Sequence, residues 1–136
     1  MNIFLDTSAI IAWFNTRDKY HQQAMEILQK IKTGKISFTR FIVTDYIFDE
    51  ATTYFETSLK NHEAATKIGE ALLSSGYIHL EPVDREIFEQ AWDLFKTNTG
   101  YSFTDITCIC IMEKLGSQNI FTFDNHFTRA GFNQIT

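Results

Sequence analysis

Cysteine, proline and long apolar runs are scarce in this sequence, and each scarcity excludes a class of protein. The chain of 136 residues has two cysteines and one proline. Cys108 and Cys110 lie two residues apart on a predicted helix, so they point to different sides, fit neither a disulfide nor a shared metal, and are expected in the core. No segment stays apolar for the roughly 18 residues of a membrane span, and Met1 to Leu5 lead directly into an acid rather than a signal peptide. We therefore expect no membrane anchor and a cytoplasmic location.

The charge of the chain excludes tight, non-specific binding of nucleic acid over its whole surface. The formal net charge is −5, which repels a polyanion at long range. Half of the twelve basic residues fall between positions 17 and 40, and we interpret them as a solvated helix face: Arg17, Lys19, Lys30, Lys32, Lys35 and Arg40. The 44% hydrophobic and 15% aromatic content is typical of a folded protein, and the length predicts one domain, residues 1–136.

Strand and helix patterns alternate along the chain. Short β-branched or aromatic runs predict strands at residues 2–5, 36–43, 77–80 and 120–123, with a last turn and an edge strand in the tail after residue 124. Apolar residues at helical spacing predict helices near residues 9–14, 19–31, 45–59, 62–73, 84–97 and 102–115. This order favours an α/β fold, a three-layer α/β/α sandwich with a short, mostly parallel sheet.

Three acids are predicted to meet at one edge of that sheet. Asp6 follows the first strand, Asp124 follows the strand at residues 120–123, and Asp105 lies in the first turn of a helix that Ser102 caps. In a parallel sheet, the start of a helix and the end of the next strand share an edge, where ligand sites of such sheets lie. A fourth acid, Glu50, lies on the helix after Thr44.

Carboxylates that converge in this way repel one another unless a cation or protons intervene. Oxygen ligands without a His or Cys cluster favour Mg²⁺ or Mn²⁺, and such ions orient and acidify water for attack on a phosphodiester. Polar residues beside the acids are expected to orient waters or carboxylates: Thr7, Ser8, Ser102, Thr104 and Thr122. Taken singly, each acid is more typical of a helix cap, a turn or a solvated helix residue.

Four segments together resemble the PIN domain family, and most closely the VapC-type toxins and related stand-alone PIN proteins. They are residues 3–8 (IFLDTS), 44–50 (TDYIFDE), 102–105 (SFTD) and 121–127 (FTFDNHF). The resemblance implies a Mg²⁺- or Mn²⁺-dependent endoribonuclease, the toxin of a type II toxin–antitoxin pair. It implies a catalytic, metal-binding quartet, an RNA substrate, a homodimer and a cognate antitoxin that covers the acidic groove. The quartet is Asp6, Glu50, Asp105 and Asp124.

Some alternatives stay open at this point. Many relatives carry a further acid where this chain has Asn125 and His126, so the number of metal ions, one or two, is open; His126 is interpreted as a surface histidine near a turn rather than a general base. A stand-alone PIN nuclease in RNA processing and a non-catalytic RNA- or protein-binding module remain alternative functions. A haloacid-dehalogenase-like phosphatase is disfavoured because Ser8 stands where it needs a second Asp, and a receiver domain because an adjacent acidic pair is absent.

Overall fold

A parallel sheet of five short strands forms the centre of the fold. The computed structural model describes residues 1–136, and its strands are β1 (Asn2–Leu5), β2 (Arg40–Thr44), β3 (Ile78–Glu81), β4 (Asn119–Phe121) and β5 (Asn133–Gln134). The strand order is β3-β2-β1-β4-β5, and every neighbouring pair is parallel. The chain first builds outward from β1 through β2 and β3, then crosses to β4 on the other side. The crevice between the ends of β1 and β4 is thus the switch point at which such sheets bind ligands.

Helices cover both faces of the sheet. They are α1 (Thr7–Phe14), α2 (His21–Lys32), α3 (Asp45–Thr53), α4 (His62–Ser74), α5 (Arg85–Thr97), α6 (Phe103–Leu115) and α7 (His126–Arg129), and a π-helical turn at Tyr54–Ser58 extends α3. No helix is both long and apolar enough to cross a membrane.

Alternation along the strands divides the core into two layers. Ile3 and Leu5 of β1 point into a cluster that also holds buried residues of α1 to α4, whereas Phe4 points into a cluster with residues of α5 and α6. Cys108 and Cys110 are free and buried in this second cluster, as the sequence predicted. Burial raises the pKa of both thiols. The three-layer arrangement is the one that the order of elements predicted.

Two predicted strands have different limits in the structure. The predicted strand at residues 36–43 begins only at Arg40, because Arg40 pairs with Asn2, the first residue of β1, and no partner strand extends further back. β4 ends at Phe121 and not at Phe123, because its partner β1 ends at Leu5. The chain then turns, and the Thr122 hydroxyl donates to Asp6. The predicted helix at residues 45–59 changes to π-helical geometry at Tyr54.

Candidate active site

The polypeptide brings three acids from distant segments to the crevice between β1 and β4. Asp6 is the residue between β1 and α1, and its amide donates to the carbonyl of Phe121 at the end of β4 (3.1 Å). Asp124 lies three residues beyond Phe121. Asp105 is in the first turn of α6, where Ser102 and Asp105 form the predicted capping box. The switch point therefore gathers the acids that strand ends and a helix start were expected to bring together.

Asp6 is the most buried of these acids, with 4% of its surface exposed. Its Oδ2 accepts hydrogen bonds from the Thr122 hydroxyl at 2.7 Å and the Ser8 hydroxyl at 2.8 Å. Burial raises the pKa of Asp6 to about 6, the two hydroxyls lower it, and the nearby charge of Asp105 raises it again. At neutral pH an ionised carboxylate is thus held in a largely dry pocket.

The two hydroxyls are themselves fixed by the backbone of the β4 turn. Ser8 Oγ accepts from the amide of Phe123 (3.0 Å), and Thr122 Oγ1 accepts from the amide of Asp124 (3.0 Å). Since an amide occupies an acceptor position on each oxygen, each hydroxyl proton is available for Asp6. The predicted polar residues Ser8 and Thr122 therefore orient the carboxylate.

His126 connects the other two acids. Its Nδ1 lies 3.0 Å from Asp105 Oδ2 and 3.1 Å from Asp124 Oδ2, while its backbone amide donates to Asp124 Oδ1 at 3.0 Å. One ligand atom from each of the three residues lies within 4.8 Å of the others. The histidine was expected at the surface near a turn; its side chain is 30% exposed at the start of α7, and it also lies between two carboxylates, which the sequence did not indicate.

Glu50 lies apart from this cluster. Its side chain is on an exposed position of α3 and lines an open cavity of about 520 Å³. Thr7 and Thr104, the neighbours of Asp6 and Asp105 in sequence, line the same cavity. The structure thus brings Asp6, Asp105 and Asp124 to the crevice and places Glu50 across the adjoining cavity.

The remaining polar residues predicted at the site have different surroundings. Ser102 Oγ accepts from the Asp105 amide at 3.0 Å, so it holds the start of α6. Thr104 lines the cavity, and its side chain makes no hydrogen bond to an acid. Thr7 Oγ1 is buried and has no hydrogen-bond partner. A buried hydroxyl without a partner is costly, which makes Thr7 Oγ1 an available donor or acceptor for a bound water or ligand.

Two cation–aromatic pairs beside the crevice escaped sequence reasoning. On one side Tyr20 stacks on Phe123, with ring centroids 4.7 Å apart, and Lys19 lies over the Tyr20 ring. On the other side Arg129 lies over the ring of Tyr101, which packs edge-on against His126. The basic residues at positions 17–40 are exposed, as expected, but only Lys30 and Lys32 lie on a helix, so they do not form the single helix face that the sequence suggested. Phe123 precedes Asp124 directly and His126 follows it two residues later, and this closeness in sequence was the available signal.

The donor set fits a divalent cation. Carboxylate oxygens predominate, an ionised Asp6 is buried beside Asp105, and the Thr7 hydroxyl is unpaired, so the pocket concentrates negative charge and oxygen ligands. His126 adds one nitrogen donor. A cation bound here would offset the burial that raises the pKa of Asp6 and the smaller repulsion from Asp105, because it would stabilise the ionised carboxylate.

Comparisons with known proteins agree with this geometry. The family described as PIN domain matches residues 3–133. The "23S rRNA-specific endonuclease VapC20" of Mycobacterium tuberculosis, strains CDC 1551 and H37Rv, is 30% identical over 135 residues, which is 98% of this chain and 97% of the relative. A crystal structure of M. tuberculosis VapC20, described as a sarcin-ricin loop cleaving toxin, matches with a TM-score of 0.85 at 29% identity, over 96% of this chain and 95% of that one. The predicted α/β/α fold is confirmed.

Proposed function

The chain belongs to the PIN domain family, as the four sequence segments predicted, and we propose that it is a divalent-metal-dependent endoribonuclease acting as the toxin of a toxin–antitoxin pair. Nucleases of this family hydrolyse RNA, and the relatives named above are RNA endonucleases. The observation that carries the proposal is the placement of three acids at the switch point of the sheet: Asp105 and Asp124 both contact His126, and the charge of Asp105 acts on Asp6.

The metal ligands in this proposal are Asp6, Asp105 and Asp124, with Glu50 contributing from the far side of the cavity. A bound Mg²⁺ or Mn²⁺ supplies an acidified water and neutralises charge on the phosphate. Ser8 and Thr122 hold Asp6 in one orientation, and Ser102 holds Asp105 at the start of α6. Thr7 and Thr104 face the cavity beside Glu50, where they can hold water or a phosphate oxygen. No side chain is required as a nucleophile.

The substrate that suits this surface is a single-stranded or looped RNA. With a net charge of −5 the whole surface repels RNA, so binding depends on local cations. Lys19 and Arg129 are such cations, and each lies over an aromatic ring beside the acids. Unpaired bases stack on aromatic rings and on guanidinium planes, and looped RNA exposes them. Because VapC20 is described as specific for 23S rRNA, a ribosomal RNA loop is the first substrate to test.

The toxin role implies a protein partner. A basic side chain of an antitoxin, inserted among the acids, would occupy the place of the cation, and low exposure of the acids would strengthen that attraction. A homodimer remains a prediction of the family resemblance. The cytoplasmic location remains a prediction from the sequence pattern, and the single domain over residues 1–136 a prediction from the length.

RNA cleavage by the purified protein tests the proposal. Ribosomal RNA and a synthetic loop are incubated with Mg²⁺ or Mn²⁺, with and without chelator, using the native protein, Asp6→Asn and Asp105→Asn. The His62→Asn variant is the matched control, because His62 also contacts a carboxylate, Glu56, but lies on an exposed surface. We expect metal-dependent cleavage by the native protein and the control only. Cleavage that persists with chelator, or in both Asp variants, would contradict the mechanism.

Expression in cells tests the biological role. A toxin should arrest growth when expressed alone, and a small protein encoded beside it should relieve the arrest. Cleavage in vitro without growth arrest would favour a nuclease of RNA processing instead. Unchanged RNA binding by both Asp variants, without any cleavage by the native protein, would favour a non-catalytic binding module.

A further inference from the structure

His126 differs from the other histidines of the chain in what its ring nitrogen contacts. The chain has four histidines. His62 and His79 are exposed and each contacts one carboxylate, Glu56 and Glu81 respectively, and His21 contacts the carbonyl of Ala12. Only His126 places one nitrogen between two carboxylates, Asp105 and Asp124, at 3.0 and 3.1 Å. The orientation of this imidazole is therefore tied to the acidic crevice.

The local structure holds His126 in that orientation. The Asp124 carboxylate accepts from the His126 amide through Oδ1, so its other oxygen, Oδ2, faces the same side as His126 Nδ1. The Tyr101 ring packs edge-on against the imidazole, with centroids 5.7 Å apart, and restricts its rotation. Asp124 Oδ2 and His126 Nδ1, which come from residues two apart in sequence, therefore lie together, and Asp105 Oδ2 on α6 is the third donor atom.

The spacing of these donor atoms matches that of ligands around one cation. An octahedral ion with ligands at about 2.1 Å places adjacent donor atoms about 3.0 Å apart. His126 Nδ1 lies at that distance from both Asp105 Oδ2 and Asp124 Oδ2. The same distances suit a hydrogen bond from an N–H group shared by the two acids, so geometry alone allows both roles for the nitrogen.

We propose that His126 Nδ1 is a metal ligand together with Asp105 and Asp124, and that this mixed nitrogen and oxygen site binds Mn²⁺ in preference to Mg²⁺. The inference rests on the proposed metal-dependent function and specifies its ion. Mg²⁺ is a hard ion that favours oxygen ligands and water, whereas imidazole suits transition metals. A site of four carboxylates would lack this discrimination.

The decisive experiment detects the nitrogen directly. Pulsed electron paramagnetic resonance of the full chain loaded with Mn²⁺, in a nitrogen-free buffer, reports ¹⁴N nuclei bound to the ion. We expect ¹⁴N coupling in the native protein and in His62→Asn, and its loss in His126→Asn. Bound Mn²⁺ without ¹⁴N coupling in the native protein would overturn the proposal, and so would coupling that persists in His126→Asn.

Calorimetric titrations with Mn²⁺ and with Mg²⁺ provide the second measurement. His126→Asn should weaken Mn²⁺ binding by about tenfold or more and Mg²⁺ binding by less than about threefold, because only the transition metal gains from the nitrogen. His126→Asp, which replaces the nitrogen ligand by an oxygen ligand, should narrow the preference for Mn²⁺ over Mg²⁺, and it provides the comparison if the Asn variant does not fold. Equal losses for both ions, or an unchanged preference in His126→Asp, would count against His126 as a ligand.

The two proposals fail in different ways. If the protein cleaves RNA with Mg²⁺ or Mn²⁺ but shows no ¹⁴N coupling, the nuclease function stands and His126 is only a hydrogen-bond donor to the acids. If neither ion binds and no metal-dependent cleavage occurs, the nuclease function fails, and the ligand role of His126 fails with it.

Discussion

Replacing Asp6 by asparagine should stabilise the metal-free protein at neutral pH. The pKa of Asp6 in the fold is about 6 against an ordinary value of 3.8, and burial is the largest cause. A raised carboxyl pKa means that the folded state binds the proton more tightly than the unfolded state, so ionisation destabilises the fold. Each unit of difference corresponds to about 1.4 kcal/mol, which gives about 3 kcal/mol at pH 7. Because Asp6 is 4% exposed, solvent does not screen this effect.

The destabilisation caused by the ionised Asp6 depends on pH. The destabilisation is absent below about pH 4, where both states are protonated, grows as the pH rises towards 6, and is constant above it. Asparagine keeps an oxygen that can accept from Ser8 and Thr122 but carries no charge. For a chain of 136 residues, 3 kcal/mol corresponds to a rise in Tm of about 10 °C.

Thermal unfolding in the presence of chelator, between pH 4 and pH 8, measures this effect. The native protein and Asp6→Asn should unfold at similar temperatures near pH 4 and diverge up to about pH 6. Adding Mn²⁺ at a hundredfold excess over Kd should then increase the free energy of unfolding of the native protein by about 2.7 kcal/mol. The Tm of the native protein should therefore rise much more than that of the variant. A variant that is less stable than the native protein at pH 7 without metal would refute this account of Asp6.

Three further predictions concern single side chains. Thr122→Val should raise the pKa of Asp6 further, because it removes a hydrogen bond to the ionised carboxylate, and it should lower RNA cleavage. A ¹³C NMR titration of the Asp6 carboxyl measures the direction of the shift. An unchanged pKa of Asp6 would contradict the prediction. Glu50→Gln should lower RNA cleavage by about tenfold or more, and it should change the Tm little because the side chain is exposed. The control is Asp49→Asn, since Asp49 lines the same cavity. Equal activity of the two variants would remove Glu50 from the site. Arg129→Ala should raise KM for RNA by about threefold to tenfold and weaken its salt dependence, with kcat nearly unchanged.

Local signals predicted much of the fold because they act within a few residues. Ser102 caps α6 as predicted, and Thr44 and Asp84 cap α3 and α5 by accepting from backbone amides three residues further on. Strand limits were less predictable, because a strand ends where its partner ends. The lengths of β2 and β4 depend on β1, which lies far away in sequence, and no residue within residues 36–39 or 122–123 carries that information.

The candidate site was predictable to the extent that topology determines it. Residues that follow β1 and β4 must meet if these strands are neighbours, and Asp6 and Asp124 therefore lie at one crevice. Glu50 lies on a helix face, and its distance from the acids depends on how α3 packs and which rotamer it adopts; its role in the quartet remains a prediction. His126 was judged by its type rather than by its neighbours. The hydrogen bond from its own amide to Asp124, which brings its ring into the crevice, is visible only in three dimensions.

The destabilising burial of Asp6 also explains how stability and activity are related in this chain. Apolar burial around β1 holds the strand end in place, so Asp6 cannot move into water to lower its pKa. The fold thus holds a carboxylate in a position that is unfavourable without a cation, and binding of a divalent ion recovers part of that free energy. A core substitution that loosens β1, such as Leu5→Ala, should therefore weaken metal binding as well as stability, because Asp6 would gain access to water without the ion. A calorimetric titration that shows unchanged metal affinity in a folded Leu5→Ala variant would separate the two properties and refute this coupling.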